Sequence, residues 1–151
     1  MVTPLLSDPE VNLRRAGIDF LEVLEEAASS AVPALSAALA DVHRFVRWSA
    51  ARTLAAIPPD RAAAAVPQLA RMLADPDLNV RLAAAATLET IGLPAAKAVP
   101  QLALAVNEGD PESRIAAMYV LWRVGPESAR AVPQLAASLK HHDPRVRRLA
   151  A

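Results

Sequence analysis

The sequence contains no cysteine, which excludes disulfides, thiolate nucleophiles and cysteine-ligated metal sites. It has only four glycines, and no glycine-rich loop that could cradle a phosphate. Sixteen basic and sixteen acidic side chains give a formal net charge of zero. The chain therefore has no global field that would attract nucleic acid or an anionic membrane.

The sequence also lacks a long apolar run, since no segment approaches the roughly 18 uninterrupted apolar residues of a transmembrane helix. Near the N-terminus, Ser7, Asp8 and Glu10 are polar where a secretory signal needs an apolar core. We therefore expect no membrane span, no leader and a cytoplasmic location.

Aromatic residues are scarce, with two Trp, one Tyr and two Phe, whereas alanine is abundant within a hydrophobic content of 54%. Alanine has the best helix propensity and lets helices approach closely, so the composition favours packed helices over sheet. A chain of 151 residues with this apolar content can form a sizeable core. We expect an all-α protein.

Two sequence markers recur with one period. An arginine column with spacings of 33, 34, 33 and 33 residues comprises Arg14, Arg47, Arg81, Arg114 and Arg147. An Ala-Val-Pro motif, followed two residues later by Leu, recurs at Pro33, Pro67, Pro100 and Pro133. Two unrelated markers that keep one period predict a repeat protein of about four and a half units.

Each unit is predicted to contain two helices. The proline of Ala-Val-Pro is tolerated only in the first turn of a helix, so it begins the first helix of a unit. The turn Asp75-Pro76-Asp77 and its copies then cap a second helix. In the third unit the predicted inward face of that helix comprises Val80, Ala83, Ala84, Thr87, Leu88 and Ile91. In the helix predicted over 10–28 it comprises Leu13, Ala16, Gly17, Phe20, Leu21 and Leu24.

We predict one domain over 1–151, with units at 31–59, 60–93 and 94–126 and partial units at 1–30 and 127–151. A solenoid normally closes with polar capping repeats, so a chain that begins and ends inside a unit is expected to be a segment of a longer array. The alternative is an atypical natural cap at each end. Val146 and Leu149 are expected to be poorly covered, which favours end-to-end self-association.

The motifs resemble those of a known family. Ala-Val-Pro-x-Leu opens one helix, and Asp-Pro-x-x-x-Val-Arg or Asp-Pro-x-Val-Arg opens the next, as in HEAT repeats of the short bacterial kind, also called PBS-lyase-type HEAT repeats. The resemblance covers nearly the whole chain. It implies a right-handed α-solenoid of antiparallel helix pairs, a HEAT-like superhelix with the second helices on its concave face. The period is also that of tetratricopeptide and ankyrin repeats, but their motifs are absent.

The arginine column has two interpretations. Five guanidinium groups one repeat apart could bind a phosphate backbone or an acidic peptide. The resemblance implies instead a structural ladder, in which each arginine ties neighbouring units together through loop carbonyls and turn carboxylates. Acidic residues that keep the period of the arginines favour the ladder, and these are Asp8, Asp41, Asp75 and Glu108.

The outward stripe of the second helices, here called the second-helix face, holds three of the five aromatic residues. It comprises Arg15, Asp19, Glu22, Trp48, Arg52, Ala55, Leu82, Ala86, Glu89, Ile115, Tyr119, Trp122 and Arg148. Trp, Tyr and Arg are enriched in binding hot spots, so this face is a candidate for partner binding. The predicted partner-binding residues are Trp48, Arg52, Leu82, Ile115, Tyr119 and Trp122. Arg52 is expected to pair with a carboxylate of the partner. The alternative is that both indoles pack over small neighbours or contact a missing part of the chain.

Motifs for catalysis or metal binding are not found. His43 and the pair His141 and His142 fall in turns without a His-x-x-x-His or His-Glu motif. We therefore predict no catalytic residue, no cofactor and no metal.

The sequence thus predicts a non-enzymatic scaffold that binds a protein or peptide segment on the second-helix face. The runner-up is a HEAT-like nucleic-acid-binding protein that would contact phosphates through Arg15, Arg52, Arg123, Arg145 and Arg148. Zero net charge and the interspersed Asp19, Glu22 and Glu89 disfavour it. A bilin lyase-like enzyme is the third interpretation, because such lyases give this repeat class one of its names.

Overall fold

The computed structural model describes residues 3–24 and 29–151, and within these ranges it contains helices and no β-strand. The α-helices are α1 (Val11–Val23), α2 (Val32–Ala38), α3 (Arg44–Ala55), α4 (Pro59–Ala62), α5 (Val66–Met72), α6 (Leu78–Ile91), α7 (Val99–Glu108), α8 (Pro111–Val124), α9 (Val132–Ser138) and α10 (Pro144–Ala150). Short 3₁₀ helices lie at Thr3–Ser7, Ala63–Ala65, Leu93–Ala98 and Gly125–Ala131.

The helix boundaries follow from local chemistry. Each first helix, α2, α5, α7 and α9, begins with Val-Pro, which places proline in the first turn, where its missing N–H costs no hydrogen bond. Asp77 caps α6 by accepting hydrogen bonds from the backbone N–H groups of Asn79 and Val80. Gly92 and Gly125 end α6 and α8 with φ of 69° and 68°, a conformation that costs glycine little.

The second helices stack in the order α1, α3, α6, α8 and α10, and each of the last four also packs against the first helix of its own unit. This arrangement produces one continuous core. The predicted inward residues of α6 are all buried, as are the corresponding residues of the preceding unit, which are Val46, Ser49, Ala50, Thr53, Leu54 and Ile57.

The predicted inward face of α1 is partly wrong. Gly17 and Leu21 are buried, but Ile18 is also buried, whereas Leu13 and Phe20 are 41% and 53% exposed. Ala16 and Leu24 are exposed as well. The main described neighbours of α1 are α3 and the 3₁₀ helix Thr3–Ser7, and these cover only one side of it. The predicted end of this helix, at 28, lies outside the described residues.

The expectation for the last helix is also corrected. Val146 is fully buried and Leu149 is half-buried, because α10 packs against both α8 and α9. The prediction that Val146 and Leu149 are poorly covered is therefore wrong. Exposed apolar side chains at this end lie instead at the two ends of α9, at Val132 and at Leu139, which directly follows the helix.

Candidate functional site

Trp48 and Arg52, two residues of the second-helix face, are already engaged within the chain. Trp48 is half-buried and packs against the core, and the guanidinium carbon of Arg52 lies 4.6 Å from the centroid of its ring. Arg52 Nη2 also donates a hydrogen bond to Glu22 Oε1 at 2.8 Å. The carboxylate expected from a partner is therefore supplied by the preceding repeat.

Phe45 forms a second cation–aromatic cluster beside Trp48. The ring is 44% exposed, with the guanidinium carbons of Arg15 and Arg44 at 5.4 and 4.8 Å from its centroid. Arg44 is paired with Asp77 at 3.1 Å, whereas Arg15 Nε is buried without a hydrogen-bond partner in the described part of the chain. A cavity of about 200 Å³ opens here, lined by Arg44, Phe45, Trp48, Asp77 and Asn79.

The predicted set of site residues omitted Phe45 and Arg44. Phe45 lies three positions before Trp48, so helical spacing was the signal that could have placed the two rings together. The contribution of Arg44 required tertiary information, because its carboxylate partner Asp77 belongs to the next repeat.

The opposite half of the second-helix face is open to solvent. Trp122 is 79% exposed, and Tyr119, one turn earlier on α8, is 42% exposed. Within residues 3–24 and 29–151 neither side chain has a hydrogen-bond partner. Leu82 and Ile115 are half-buried and provide apolar surface on α6 and α8. The two exposed aromatic side chains are thus available for intermolecular contact.

Charges of both signs lie along the second-helix face. Asp19 and Glu89 are exposed, as is Arg148 at the far end. Two of the five arginines considered for phosphate binding are held in ion pairs, Arg52 with Glu22 and Arg145 with Asp143. This mixed and partly neutralised surface differs from a continuous basic stripe.

The first arginines of the column bind the turn of the next repeat. Arg14 Nε and Nη2 donate to the two carboxylate oxygens of Asp41 at 2.7 and 3.0 Å, and its Nη1 donates to the carbonyl oxygens of Asp8 and Pro9. Arg47 makes the equivalent bidentate contact with Asp75 at 2.7 and 2.9 Å. Each arginine thereby joins its own turn to the following one.

Arg81 pairs with Asp110 and not with Glu108, the partner that the period of the acidic residues predicted. Its Nη2 donates to Asp110 Oδ2 at 2.8 Å and its Nε donates to Ser113 Oγ at 2.9 Å, while Glu108 is exposed. The reason is the longer first helix, because α7 continues through Glu108 and moves the turn carboxylate two residues along the chain. Asp110 also caps α8 by accepting from the backbone N–H of Ser113.

Arg114 and Arg147 make only carbonyl contacts. Arg114 Nη2 donates to the oxygens of Asn107 and Gly109, both at 3.2 Å. Arg147 Nη1 donates to the oxygens of His141 and His142 at 2.7 and 2.8 Å. Among the described residues neither arginine has a carboxylate partner.

The ladder contacts lower the pKa values of two carboxylates, Asp41 and Asp110. Burial by itself raises the pKa of Asp41, but hydrogen bonds from Arg14 and from the backbone N–H of His43 outweigh it and hold the pKa below the ordinary 3.8. Burial opposes a larger effect at Asp110, where Ser113 and Arg81 hold the pKa well below that value. Both carboxylates are therefore ionised at neutral pH.

The described residues contain no group of three or more His, Cys, Asp or Glu side chains arranged to hold a metal ion. Across the same residues, no helix combines the length and apolarity needed to cross a membrane.

Residues 44–91, which cover α3 to α6, match the HEAT-like repeat family. No curated protein matches the sequence. Among solved structures, one of the complex of CpcE and CpcF of phycocyanin lyase from Nostoc sp. PCC7120 is similar, with 28% identity and a TM-score of 0.75. The match covers 99% of this chain and 60% of the lyase chain.

Two engineered proteins have similar folds. A designed armadillo repeat protein in complex with the peptide (KR)4 has 16% identity, a TM-score of 0.78 and coverage of 99% of this chain and 77% of its own. Another engineered protein has 23% identity, a TM-score of 0.76 and coverage of 99% and 74%. Together with the helical architecture, these likenesses confirm the predicted all-α solenoid.

Proposed function

We propose that this chain, whose residues 44–91 match the HEAT-like repeat family, is a non-enzymatic scaffold that binds an extended or helical segment of a partner protein along its second-helix face. The designed armadillo repeat protein with a similar fold is in complex with a peptide, which supports peptide binding by a helical stack of this kind. Function on a shared fold depends on the site, so the side chains of this face carry the proposed binding.

The observation that carries the proposal is the exposure of Trp122. An indole that is 79% exposed, with Tyr119 one turn away, presents a large apolar surface and an N–H donor that has no hydrogen-bond partner in the described part of the chain. Trp and Tyr at such positions are the side chains that most often dominate binding energy. By contrast, Trp48 offers one edge of a ring that is already packed and covered by Arg52.

The two ends of the face select different parts of a partner. Tyr119 and Trp122 suit an aliphatic or aromatic side chain, whereas Arg15, whose Nε lacks a hydrogen-bond partner among the described residues, suits a carboxylate. Neighbouring helices lie ~8–10 Å apart, so the aromatic residues of α3 and α8 are separated by roughly 16–20 Å. A partner helix of about 12 to 15 residues spans that distance.

Two other functions are less well supported. Phosphate binding would use arginines of which Arg52 and Arg145 are already neutralised, on a chain of zero net charge. The similarity to the phycocyanin lyase complex supports the third, a bilin lyase-like enzyme, and a chromophore-transfer assay would test it.

Site-specific photo-crosslinking in cells of the source organism tests the proposal. A photoreactive amino acid replaces Ala86, which is exposed on α6 in the middle of the second-helix face, so the aromatic residues stay intact. The matched control carries the same group at Leu104, which is 56% exposed on the first helix α7.

We expect a discrete light-dependent protein adduct at position 86 that is missing at position 104. Adding Trp122→Ala to the position 86 variant should reduce the adduct strongly, because it removes the main apolar contact. Equal adducts at both positions, no adduct at position 86, or an adduct that is indifferent to Trp122→Ala would each refute this use of the face.

A further inference from the structure

The arginine column has a gap inside the chain, at Arg114. In the three preceding repeats, an arginine binds a carboxylate in the next turn, supplied by Asp41, Asp75 or Asp110. At the turn that follows Arg114, the position of Asp41 and Asp75 is occupied by His141.

Asp75 illustrates the contacts that an aspartate makes at this position of the turn. Its two oxygens accept from Arg47 Nη2 and Nε at 2.9 and 2.7 Å, and Oδ1 also accepts from the backbone N–H of Asp77 at 2.9 Å. Asp41 does the same for Arg14 and for the backbone N–H of His43. One carboxylate therefore satisfies both an arginine side chain and the backbone of a turn.

In the turn that follows Arg114, the hydrogen bond to the backbone is retained, but the contact with the arginine is missing. His141 Nδ1 accepts from the backbone N–H of Asp143 at 3.1 Å, as an aspartate oxygen does elsewhere. Arg114 Nε, however, is buried and has no hydrogen-bond partner among the described residues. A buried guanidinium N–H without an acceptor is unfavourable, and charge-assisted hydrogen bonds are the strong ones, so an anionic acceptor at this donor would be stabilising.

The surroundings of the gap carry an excess of positive charge. Arg147 donates to the carbonyl oxygens of His141 and His142, and both carboxylate oxygens of Asp143 accept hydrogen bonds from Arg145. Partial desolvation, together with the charges of His142 and Arg114, lowers the pKa of His141 below its ordinary 6.5, although Asp143 acts in the opposite direction. The local field therefore favours an incoming anion.

We propose that this gap is a carboxylate-binding site. An external carboxylate displaces the half-exposed His141 ring, accepts the Nε–H of Arg114 and takes over the backbone N–H of Asp143. The ligand class follows from the molecule itself, because a carboxylate occupies the equivalent position against Arg14 and Arg47. The ligand is a small carboxylate or an acidic side chain in a turn of another polypeptide, and the site is independent of the second-helix face.

The test follows the ¹⁵N–¹H resonance of Arg114 Nε by NMR, assigned by its loss in Arg114→Lys. The protein is titrated with sodium acetate, with an end-blocked peptide that copies residues 74–78 (Ala-Asp-Pro-Asp-Leu), and with sodium chloride at equal ionic strength. We expect a saturable shift with a carboxylate and none with chloride. Similar affinities for acetate and peptide indicate a small ligand, whereas tighter binding of the peptide indicates a polypeptide.

His141→Asp provides the decisive control, because it fills the gap from within. It should abolish the response to both carboxylates and raise the melting temperature, with His141→Glu as a second filling variant. His142→Asp adds the same charge one residue away and should keep the response. A resonance that moves with neither carboxylate, that moves equally with chloride, or that responds unchanged in both filling variants would overturn the proposal.

Discussion

Trp48 and Trp122 have the same side chain but opposite surroundings. Trp48 is half-buried against the core and lies under Arg52, whereas Trp122 is 79% exposed on α8. Replacing Trp48 would remove packing contacts within the folded chain, whereas replacing Trp122 would remove few. Their contributions to folding and to binding must therefore differ, although repeat alignment places both on one face.

We predict that Trp48→Ala lowers the free energy of unfolding by about 2 kcal/mol, because it removes core contacts and the support of Arg52. Trp122→Ala should change it by no more than about 0.5 kcal/mol, as expected for an exposed position. Urea denaturation followed by circular dichroism measures both variants. Equal losses of stability would show that Trp122 is also a packing residue.

Thr53 and Thr87 occupy equivalent buried positions and differ in one hydrogen bond. Thr87 Oγ1, on α6, lies 2.8 Å from the carbonyl oxygen of Ala51 on α3 and 2.7 Å from the carbonyl oxygen of Ala83 on its own helix. Thr53 Oγ1 is buried without a partner among the described residues. The hydroxyl is thus useful in one repeat and a desolvated polar group in the other.

We predict that Thr87→Val destabilises the protein by about 1 kcal/mol, since it removes a hydrogen bond while keeping the side-chain volume. Thr53→Val should be neutral or stabilising, because it removes an unpaired hydroxyl from the core. Thermal denaturation of the two variants under identical conditions makes the comparison. The same sign and size for both changes would argue against the bonding pattern.

Among the elements, the second helices are joined at their N-terminal ends by the arginine column. Arg47 of α3 contacts its own turn and also Asp75 of the next repeat, whereas Arg114 of α8 contacts only its own turn. The coupling between adjacent helix pairs is therefore uneven along the stack.

Arg47→Ala is predicted to cost roughly 1.5–3 kcal/mol of unfolding free energy, because it breaks a partly buried, charge-assisted pair and leaves Asp75 without its partner. Arg114→Ala should cost clearly less, since no carboxylate is lost. Equilibrium urea unfolding compares the two. If Arg114→Ala costs as much as Arg47→Ala, the carbonyl contacts rather than the carboxylate provide the stability.

The inward faces of α3 and α6 could be predicted from the sequence because each has a single apolar stripe with helical period. In α1 the sequence offers two apolar stripes, one with Leu13 and Phe20 and another with Ile18 and Leu21. The stripe that is buried is decided by the helices that pack against α1, and this information is tertiary. Helix ends were predictable wherever a proline, an aspartate cap or Gly92 marked them.

Over the whole molecule, the ion pairs between neighbouring repeats make stability depend on pH. The pKa values of Asp41 and Asp110 are lower in the folded chain than the ordinary 3.8. Their contribution is fully present above about pH 4 and is lost as the pH falls below it, because the unfolded chain then binds more protons than the folded one.

We expect the free energy of unfolding to fall steeply between about pH 4 and pH 2. Asp110→Asn should be less stable at neutral pH and should lose less on acidification, because its contacts with Arg81 and Ser113 no longer depend on ionisation. Asp60→Asn is the control, since the Asp60 side chain is 77% exposed. Parallel pH profiles for the parent and Asp110→Asn would contradict the ladder's electrostatic role.

Repeat alignment located the second-helix face but not the state of its side chains. It placed Trp48, Arg52, Tyr119 and Trp122 on one stripe, because the period fixes which positions are equivalent. The partner of Arg52 is Glu22, thirty residues away, and Asp77, which lines the cavity and pairs with Arg44, comes from the next repeat. Exposure and pairing therefore had to come from the structure.

The central claim is that Trp122 binds a partner without being needed for the fold. The most direct measurement is isothermal titration calorimetry of the partner segment crosslinked at position 86, with the parent protein and with Trp122→Ala, together with their melting temperatures. We predict at least a tenfold increase in the dissociation constant, which is about 1.4 kcal/mol, with no appreciable change in melting. An unchanged dissociation constant, or a loss of affinity that is matched by a loss of stability, would contradict the claim.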